Sequence, residues 1–163
     1  MQDELRVVRA ALHPFEEPPI SGTRGSGTVF FSGCSLKCVF CQNKVISREG
    51  GLGKEMSSDE LYEKILELAE SGVHNINLVT ASHFAPSVAV TLSLAKQEGL
   101  TVPVVYNCGG YERVETLRQL EGKVDIYLPD LKYSDGGLAQ TLSGAKNYFS
   151  VAKLALKEMV RQT

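Results

Sequence analysis

The sequence predicts an α/β fold: a parallel sheet with crossover helices, in about four strand–helix units. Short apolar runs bounded by turn residues recur at 28–31, 75–80, 102–106 and 124–128. Segments with apolar residues at helical spacing separate them. Each run also ends in polar or metal-ligating side chains, and parallel barrels carry their chemistry at the C-terminal ends of the strands.

The chain's 163 residues suit one domain, and 43% hydrophobic with 22% charged residues is ordinary for a globular protein. A net charge of −2 and no Lys/Arg run leave no electrostatic footprint for nucleic acid. No apolar stretch reaches membrane-spanning length, and Met1-Gln2-Asp3-Glu4 lacks the pattern of a signal peptide. Three of the four cysteines are clustered, which suits metal ligands in a reducing compartment better than disulfides. A cytoplasmic location is expected.

Residues 1–26 read as an N-terminal lead-in segment and 27–163 as the core domain. Within the lead-in, Leu5, Val7, Val8 and Leu12 fit either a strand or a helical turn. From His13 to Gly22, three prolines and a glycine predict an extended, non-helical segment. A plain lead-in loop is the favoured reading, the alternative being that His13, Glu16 and Glu17 face an active-site mouth. Gly22, Gly25 and Gly27 bring the chain into the first strand.

Gly50, Gly51 and Gly53 predict a flexible return after the cysteines. Ser57 and Glu60 form a capping-box pattern, and Leu61, Ile65, Leu68 and Ala69 then repeat at helical spacing up to Gly72. After the second strand, Pro86 can open a helix with Val88, Leu92 and Ala95 inward and Gly99 as its stop. Pro103 is tolerable near the start of the third strand. A short helix with Val114, Leu117 and Leu120 inward precedes the fourth. Asp135-Gly136-Gly137 and Gly144 read as a loop, and Phe149, Ala152, Leu156 and Met159 share one face of a last helix.

The organising stretch is 32–43, where Cys34, Cys38 and Cys41 stand at CxxxCxxC spacing directly after the first strand. Three thiolates this close can surround one metal centre but cannot close a four-coordinate site. Structural zinc takes four ligands. A four-iron cluster held by three thiolates keeps one iron open to a substrate or cofactor. The bland alternatives are a zinc knuckle or a set of buried thiols.

The motif, with aromatic Phe40 before its last cysteine, resembles that of the radical S-adenosylmethionine (SAM) enzymes. The resemblance implies a partial (β/α) barrel, a [4Fe–4S] cluster on Cys34, Cys38 and Cys41, and SAM on the open iron. It implies reductive cleavage of SAM to a 5′-deoxyadenosyl radical that abstracts hydrogen from a substrate. The His13-x-x-Glu16-Glu17-Pro18…Ile20-Ser21-Gly22 run is similar to one that precedes the cluster in the pyruvate formate-lyase activating enzyme-like branch.

The same resemblance supplies candidate SAM contacts. Asp130-Leu131-Lys132 matches the D-x-K at a strand end in glycyl-radical activating enzymes, implying that Lys132 meets the SAM carboxylate and Asp130 sets the local charge. A cation beside an anionic carboxylate, screened from water, is well placed on physical grounds too; an ordinary surface pair is the competing reading. Asn107 stands where a short polar residue faces SAM, or is a turn residue before Gly109-Gly110. Thr80-Ala81-Ser82-His83 replaces the Gly-Gly-Glu-Pro of many family members, as in the activating-enzyme-like branch, so Thr80, Ser82 and His83 become candidate contacts. His83 as a satisfied helix-lead residue is the alternative. Cys108 can be a fourth ligand, a redox-active thiol or packing, with packing favoured.

A full radical SAM core has about six strand–helix units, so the domain is expected to be incomplete at its C-terminal end. With four strands the first and fourth are both edges, and Val29, Phe31, Ile126 and Leu128 lack neighbours on the open side. Self-association, or need of a completing segment, is therefore expected. The substrate is a glycyl-radical protein, another protein or a small molecule, and the electron donor a flavodoxin or ferredoxin. The alternative functions are a non-catalytic metal-binding module and an iron–sulfur electron carrier.

Overall fold

The computed structural model describes residues 5–48 and 52–163. Residues 1–4, which lack the signal pattern, and Gly50 and Gly51 of the expected return lie outside the described residues. The chain enters through β1 (Leu5–His13), a helical turn α1 (Pro18–Ser21) and β2 (Ser26–Phe31). Next come α2 (Lys44–Arg48), β3 (Lys54–Met56) and α3 (Ser58–Glu70). Then β4 (Asn75–Val79), α4 (Ala85–Gln97), β5 (Val104–Cys108), α5 (Val114–Gln119) and β6 (Ile126–Pro129) alternate. The chain closes with α6 (Gly136–Ser143) and α7 (Tyr148–Gln162).

The sheet runs β3-β1-β2-β4-β5-β6. The four strands read from the sequence are its parallel part, joined by crossover helices. The fold is α/β, and the sheet is a partial barrel. Register puts Phe30 beside Val79, Val79 beside Asn107 and Asn107 beside Leu128, so the four C-terminal strand ends reach one level. That level carries the site.

Local chemistry explains the helices. The Ser57 hydroxyl accepts from the Glu60 amide at 3.1 Å, and the Glu60 carboxylate accepts from the Ser57 amide at 2.9 Å, closing the expected capping box. Leu61, Ile65 and Leu68 of α3 and Val88, Leu92 and Ala95 of α4 are buried, as their spacing predicts. Burying each Leu, Ile or Val contributes roughly 1.5–3 kcal/mol.

Several expectations are corrected. The undecided segment after the N-terminus is a strand, and β1 pairs antiparallel with both β2 and β3. The first parallel strand is therefore not an edge, and Val29 and Phe31 are fully buried. Ile126 and Leu128 stay partly exposed on β6, an outer strand of the sheet among the described residues. The proline-rich lead-in is not wholly non-helical, because Pro18 and Pro19 open α1 where missing N–H groups cost nothing. The expected glycine loop contains α6, capped by the Asp135 side chain on the Leu138 amide at 2.7 Å. In α7 the inward face is Tyr148, Ala152, Ala155 and Met159; Phe149 is 40% exposed and Leu156 only half-buried.

Candidate active site

The cysteine loop leaves β2 and is pinned on three sides. The Ser32 amide donates to the Arg6 carbonyl of β1 at 2.9 Å, and the Gly33 amide to the Ile46 carbonyl of α2 at 2.8 Å. Arg48 of α2 donates to the carbonyls of Lys37 and Cys38, at 3.0 and 2.6 Å. On the far side, the Lys37 and Val39 amides donate to the carbonyls of Ser143 and Leu142, the last residues of α6, at 3.0 and 2.8 Å. The loop packs on a second small core of Leu36, Cys38, Tyr133, Ala139, Tyr148 and Ala152. Cys38 is buried, and Cys34 and Cys41 are half-buried free thiols.

All three cysteines line one cleft of about 800 Å³, within the range of roughly 300–1,000 Å³ usual for small-molecule sites. Thr80, Asn107, Asp130 and Lys132, from the ends of β4, β5 and β6, line it too. So do His13, Glu16 and Glu17, which places the lead-in on this cleft rather than in a remote loop. Ser82 and His83 are not among its lining residues. The Ser82 hydroxyl donates to Glu112, and His83 Nε2 donates to the Ser32 carbonyl at 2.6 Å. A Cβ on Gly33 would stand 3.2 Å from that imidazole, so His83 packs directly on the start of the cysteine loop.

The rim is held under strain. Thr80 has φ +60°, the one positive value at a non-glycine among the described residues. For a β-branched residue this costs about 1–3 kcal/mol and needs surrounding structure to impose it. Its amide donates to the Asn107 carbonyl at 2.9 Å, tying the ends of β4 and β5 together. Gly110 has φ +72°, and a Cβ there would lie 2.3 Å from the Asp130 carbonyl oxygen, so the loops after β5 and β6 approach as only glycine permits. Tyr148 completes the frame: its hydroxyl lies 2.8 Å from the carbonyls of both Gly109 and Asp130, and accepts from the Lys132 amide at 2.9 Å.

Lys132 and Asp130 form an ion pair within the cleft. Burial pulls the Lys132 ammonium down, but the hydrogen bond and charge of Asp130 outweigh it and leave the group above its ordinary value. Beneath the rim lies a residue that sequence reasoning missed. Glu112 is only 4% exposed, with the Ser82 hydroxyl on one carboxylate oxygen and the Tyr106 hydroxyl 3.4 Å from the other. Burial raises its carboxyl above the ordinary range despite these bonds. Nothing in a lone Glu two residues past Gly110 signals such a position. Cys108 is buried beside it at the cleft wall, and burial followed by the Glu112 charge pushes its thiol up. A thiol held protonated is a poor metal ligand.

The donor set fits an iron–sulfur cluster with an open position. Each of the three thiols has a hydrogen-bonding neighbour: the Leu36 amide at 3.4 Å from Cys34, the Ser143 hydroxyl at 2.9 Å from Cys38 and the Ser47 hydroxyl at 3.3 Å from Cys41. Thiolates that carry negative charge in a half-buried site need such neighbours. Burial pushes the Cys34 thiol up, and Cys38 and Cys41 add to this, so binding must displace its proton. Among the described residues no three His, Cys, Asp or Glu side chains are drawn together around one metal ion. A four-iron cluster takes one thiolate per iron, a demand that three separate thiols can meet.

Three thiols and a polar rim thus share one cleft at the C-terminal ends of the parallel strands, where α/β barrel enzymes carry their chemistry. Comparison with known proteins gives the family: the profile of the Radical SAM superfamily matches residues 28–160, and the chain belongs to that superfamily. It is 34% identical over 134 residues to an uncharacterized protein of Methanocaldococcus jannaschii, covering 78% of this chain and 39% of that one. It is 29% identical over 147 residues to a pyruvate formate-lyase-activating enzyme of Clostridium pasteurianum, covering 85% of this chain and 59% of that one. A Haemophilus influenzae protein, provisionally named as a glycyl-radical enzyme activating enzyme, is 30% identical over 150 residues, covering 88% of this chain and 54% of that protein. The chain thus spans 39 to 59% of the length of these relatives. The sequence resemblance to the activating-enzyme-like branch is borne out.

Proposed function

We propose that this chain carries the cluster- and SAM-binding part of a radical SAM enzyme. The observation that supports it most is convergence: three cysteines from one loop and polar groups from three further strand ends line a single cleft. Cys34, Cys38 and Cys41 are the proposed ligands of a [4Fe–4S] cluster. When bound, the cluster and SAM supply the chemistry, reductive cleavage to a 5′-deoxyadenosyl radical that takes a hydrogen atom from a substrate.

The protein's part is binding, orientation and exclusion of water. Lys132 offers its ammonium to the SAM carboxylate, with Asp130 fixing its position and compensating its charge. Thr80 and Asn107 present polar groups from adjoining strand ends, held in relation by the 2.9 Å bond between their backbones. Ser82 and His83 support this turn from behind, through Glu112 and the Ser32 carbonyl, rather than lining the cleft. Glu16 and Glu17 of the lead-in line the same cleft and add negative charge to it.

The finer reading takes its substrate from the names of two relatives, a glycyl-radical enzyme; a flavodoxin or ferredoxin as electron donor and a cytoplasmic location are proposed with it from the sequence. No helix among the described residues is long and apolar enough to cross a membrane. The proposed need for a completing segment now rests on β6, since β1 and β3 cover the other side of the parallel strands. Anaerobic reconstitution with iron and sulfide, followed by an assay for 5′-deoxyadenosine under reducing conditions, tests the reading. The expected result is formation of 5′-deoxyadenosine that needs SAM and all three cysteines. A reconstituted chain that binds zinc, or holds a cluster and leaves SAM intact even when a completing segment is supplied, would overturn it.

A further inference from the structure

We propose that Ser143 and Tyr133 are positioning residues that raise the reduction potential of the cluster through a hydrogen-bond relay to Cys38. The inference rests on the functional reading above and concerns the same site. Ser143 Oγ lies 2.9 Å from Cys38 Sγ, and Tyr133 Oη lies 2.6 Å from Ser143 Oγ. A hydroxyl has one proton to give. With Cys38 as a thiolate, which can only accept, the Ser143 proton points to sulfur and the Tyr133 proton to Ser143. The direction of both bonds is then fixed.

Several features set this relay apart from the contacts at the other two thiols. Cys38, Ser143 and Tyr133 are 7%, 2% and 8% exposed, so water does not compete for the bonds. The Leu36 and Ser47 contacts are longer, at 3.4 and 3.3 Å, and only part-buried. The relay is also rigid. The carbonyls of Leu142 and Ser143 accept from the amides of Val39 and Lys37, which flank Cys38, so α6 and the cysteine loop are stitched on both sides of the bond. Tyr133 is held by edge-on packing against Tyr148, ring centroids 5.3 Å apart. A hydrogen bond in a low-dielectric site is stronger than in water, and one bond polarises the next.

Reduction adds one electron and no proton to the cluster, taken from a low-potential one-electron donor. The thiolate sulfurs share the added negative charge. A donor aimed at sulfur therefore stabilises the reduced form more than the oxidised form, and hydrogen bonds to the sulfurs are among the levers that set cluster potentials. The helix that the sequence disguised as a glycine loop thus carries the donor.

The test is an EPR-monitored redox titration of the reconstituted full chain, with dithionite as reductant. Ser143→Ala should shift the midpoint potential to a more negative value. Tyr133→Phe should shift it the same way by less, and Ser143→Thr, which keeps the hydroxyl, should return it towards wild type. A role confined to packing would leave the potential where it is. If Ser143→Ala takes up no cluster, Tyr133→Phe decides: a negative shift supports the relay and an unmoved potential overturns it. Loaded Ser143→Ala with a wild-type potential overturns the relay alone, whereas a wild-type chain that assembles no four-iron cluster overturns the functional reading and the relay with it.

Discussion

The Ser82 hydroxyl donates to the buried Glu112 carboxylate, joining the turn after β4 to the loop after β5 across 30 residues of sequence. This bond lies behind the cleft wall formed by Thr80, Asn107 and Cys108. It makes the rim a single braced unit rather than three separate loops.

The brace has a pH signature. The Glu112 carboxyl titrates above its ordinary value in the fold because burial disfavours its charge. Its contribution to stability is therefore fully present below the unfolded value of about 4.5 and is lost as pH rises through the folded one. Glu112→Gln, which keeps a hydrogen-bonding side chain without the charge, should flatten that part of the pH profile. Thermal melts of the two proteins from pH 4 upward check this: their difference should change in favour of the variant as pH rises. Glu112→Ala should instead cost about 1–3 kcal/mol, by leaving the Ser82 and Tyr106 hydroxyls without their acceptor.

Thr80→Gly should separate stability from binding. Relief of the left-handed backbone should stabilise the fold, by about 1 kcal/mol, because glycine takes φ +60° without a steric penalty. SAM affinity should fall with the loss of the side chain from the cleft. Chemical denaturation and equilibrium binding of SAM, measured on the same preparation, read the two effects.

Gly110→Ala should be damaging where Gly72→Ala is mild. Both glycines have positive φ, but a Cβ on Gly72 meets nothing within 4 Å, whereas one on Gly110 would strike the Asp130 carbonyl. The backbone penalty of about 1–2 kcal/mol is common to both. Only at Gly110 must the loop carrying Asp130 and Lys132 also move. Denaturation midpoints should drop further for Gly110→Ala, and its SAM binding should weaken as well.

Lys132→Ala should weaken SAM binding on the order of tenfold, about 1.4 kcal/mol, without loss of iron. The ammonium stands in the cleft beside Asp130, and its removal would leave the Asp130 carboxylate uncompensated where the SAM carboxylate is proposed to bind. Lys132→Arg should recover only part of the affinity, because a planar fork does not replace a point charge in a packed frame. Isothermal titration of the reconstituted chain with SAM measures both.

What was legible in the sequence follows from how local each signal is. CxxxCxxC after an apolar run, the Ser57–Glu60 box and the spacing of Leu61, Ile65 and Leu68 are read within a dozen residues, and the structure reproduces them. The pairing of β1 with β2 and β3 joins residues such as Leu5 and Met56, and a short apolar pattern does not state its partner. α6 was hidden because it begins on Gly136-Gly137, poor helix formers; the Asp135 cap and its docking on the cysteine loop outweigh their propensity. At the rim, Thr80, Asn107, Asp130 and Lys132 line the cleft, whereas Ser82 and His83 have turned to Glu112 and Ser32. Glu112 carries no periodic or spacing signal at all. Side-chain direction and deep burial in a loop are tertiary facts.

Three thiolates, and only three, are proposed to hold a cluster whose remaining iron is open to SAM. EPR of the anaerobically reconstituted, dithionite-reduced chain, recorded with and without SAM alongside iron and sulfide analysis, tests it most directly. The account predicts about four irons per chain, a reduced-cluster signal that changes on adding SAM, loss of the cluster in Cys34→Ala, Cys38→Ala and Cys41→Ala, and retention in Cys108→Ala. A signal indifferent to saturating SAM, or a cluster that also vanishes in Cys108→Ala, would contradict it.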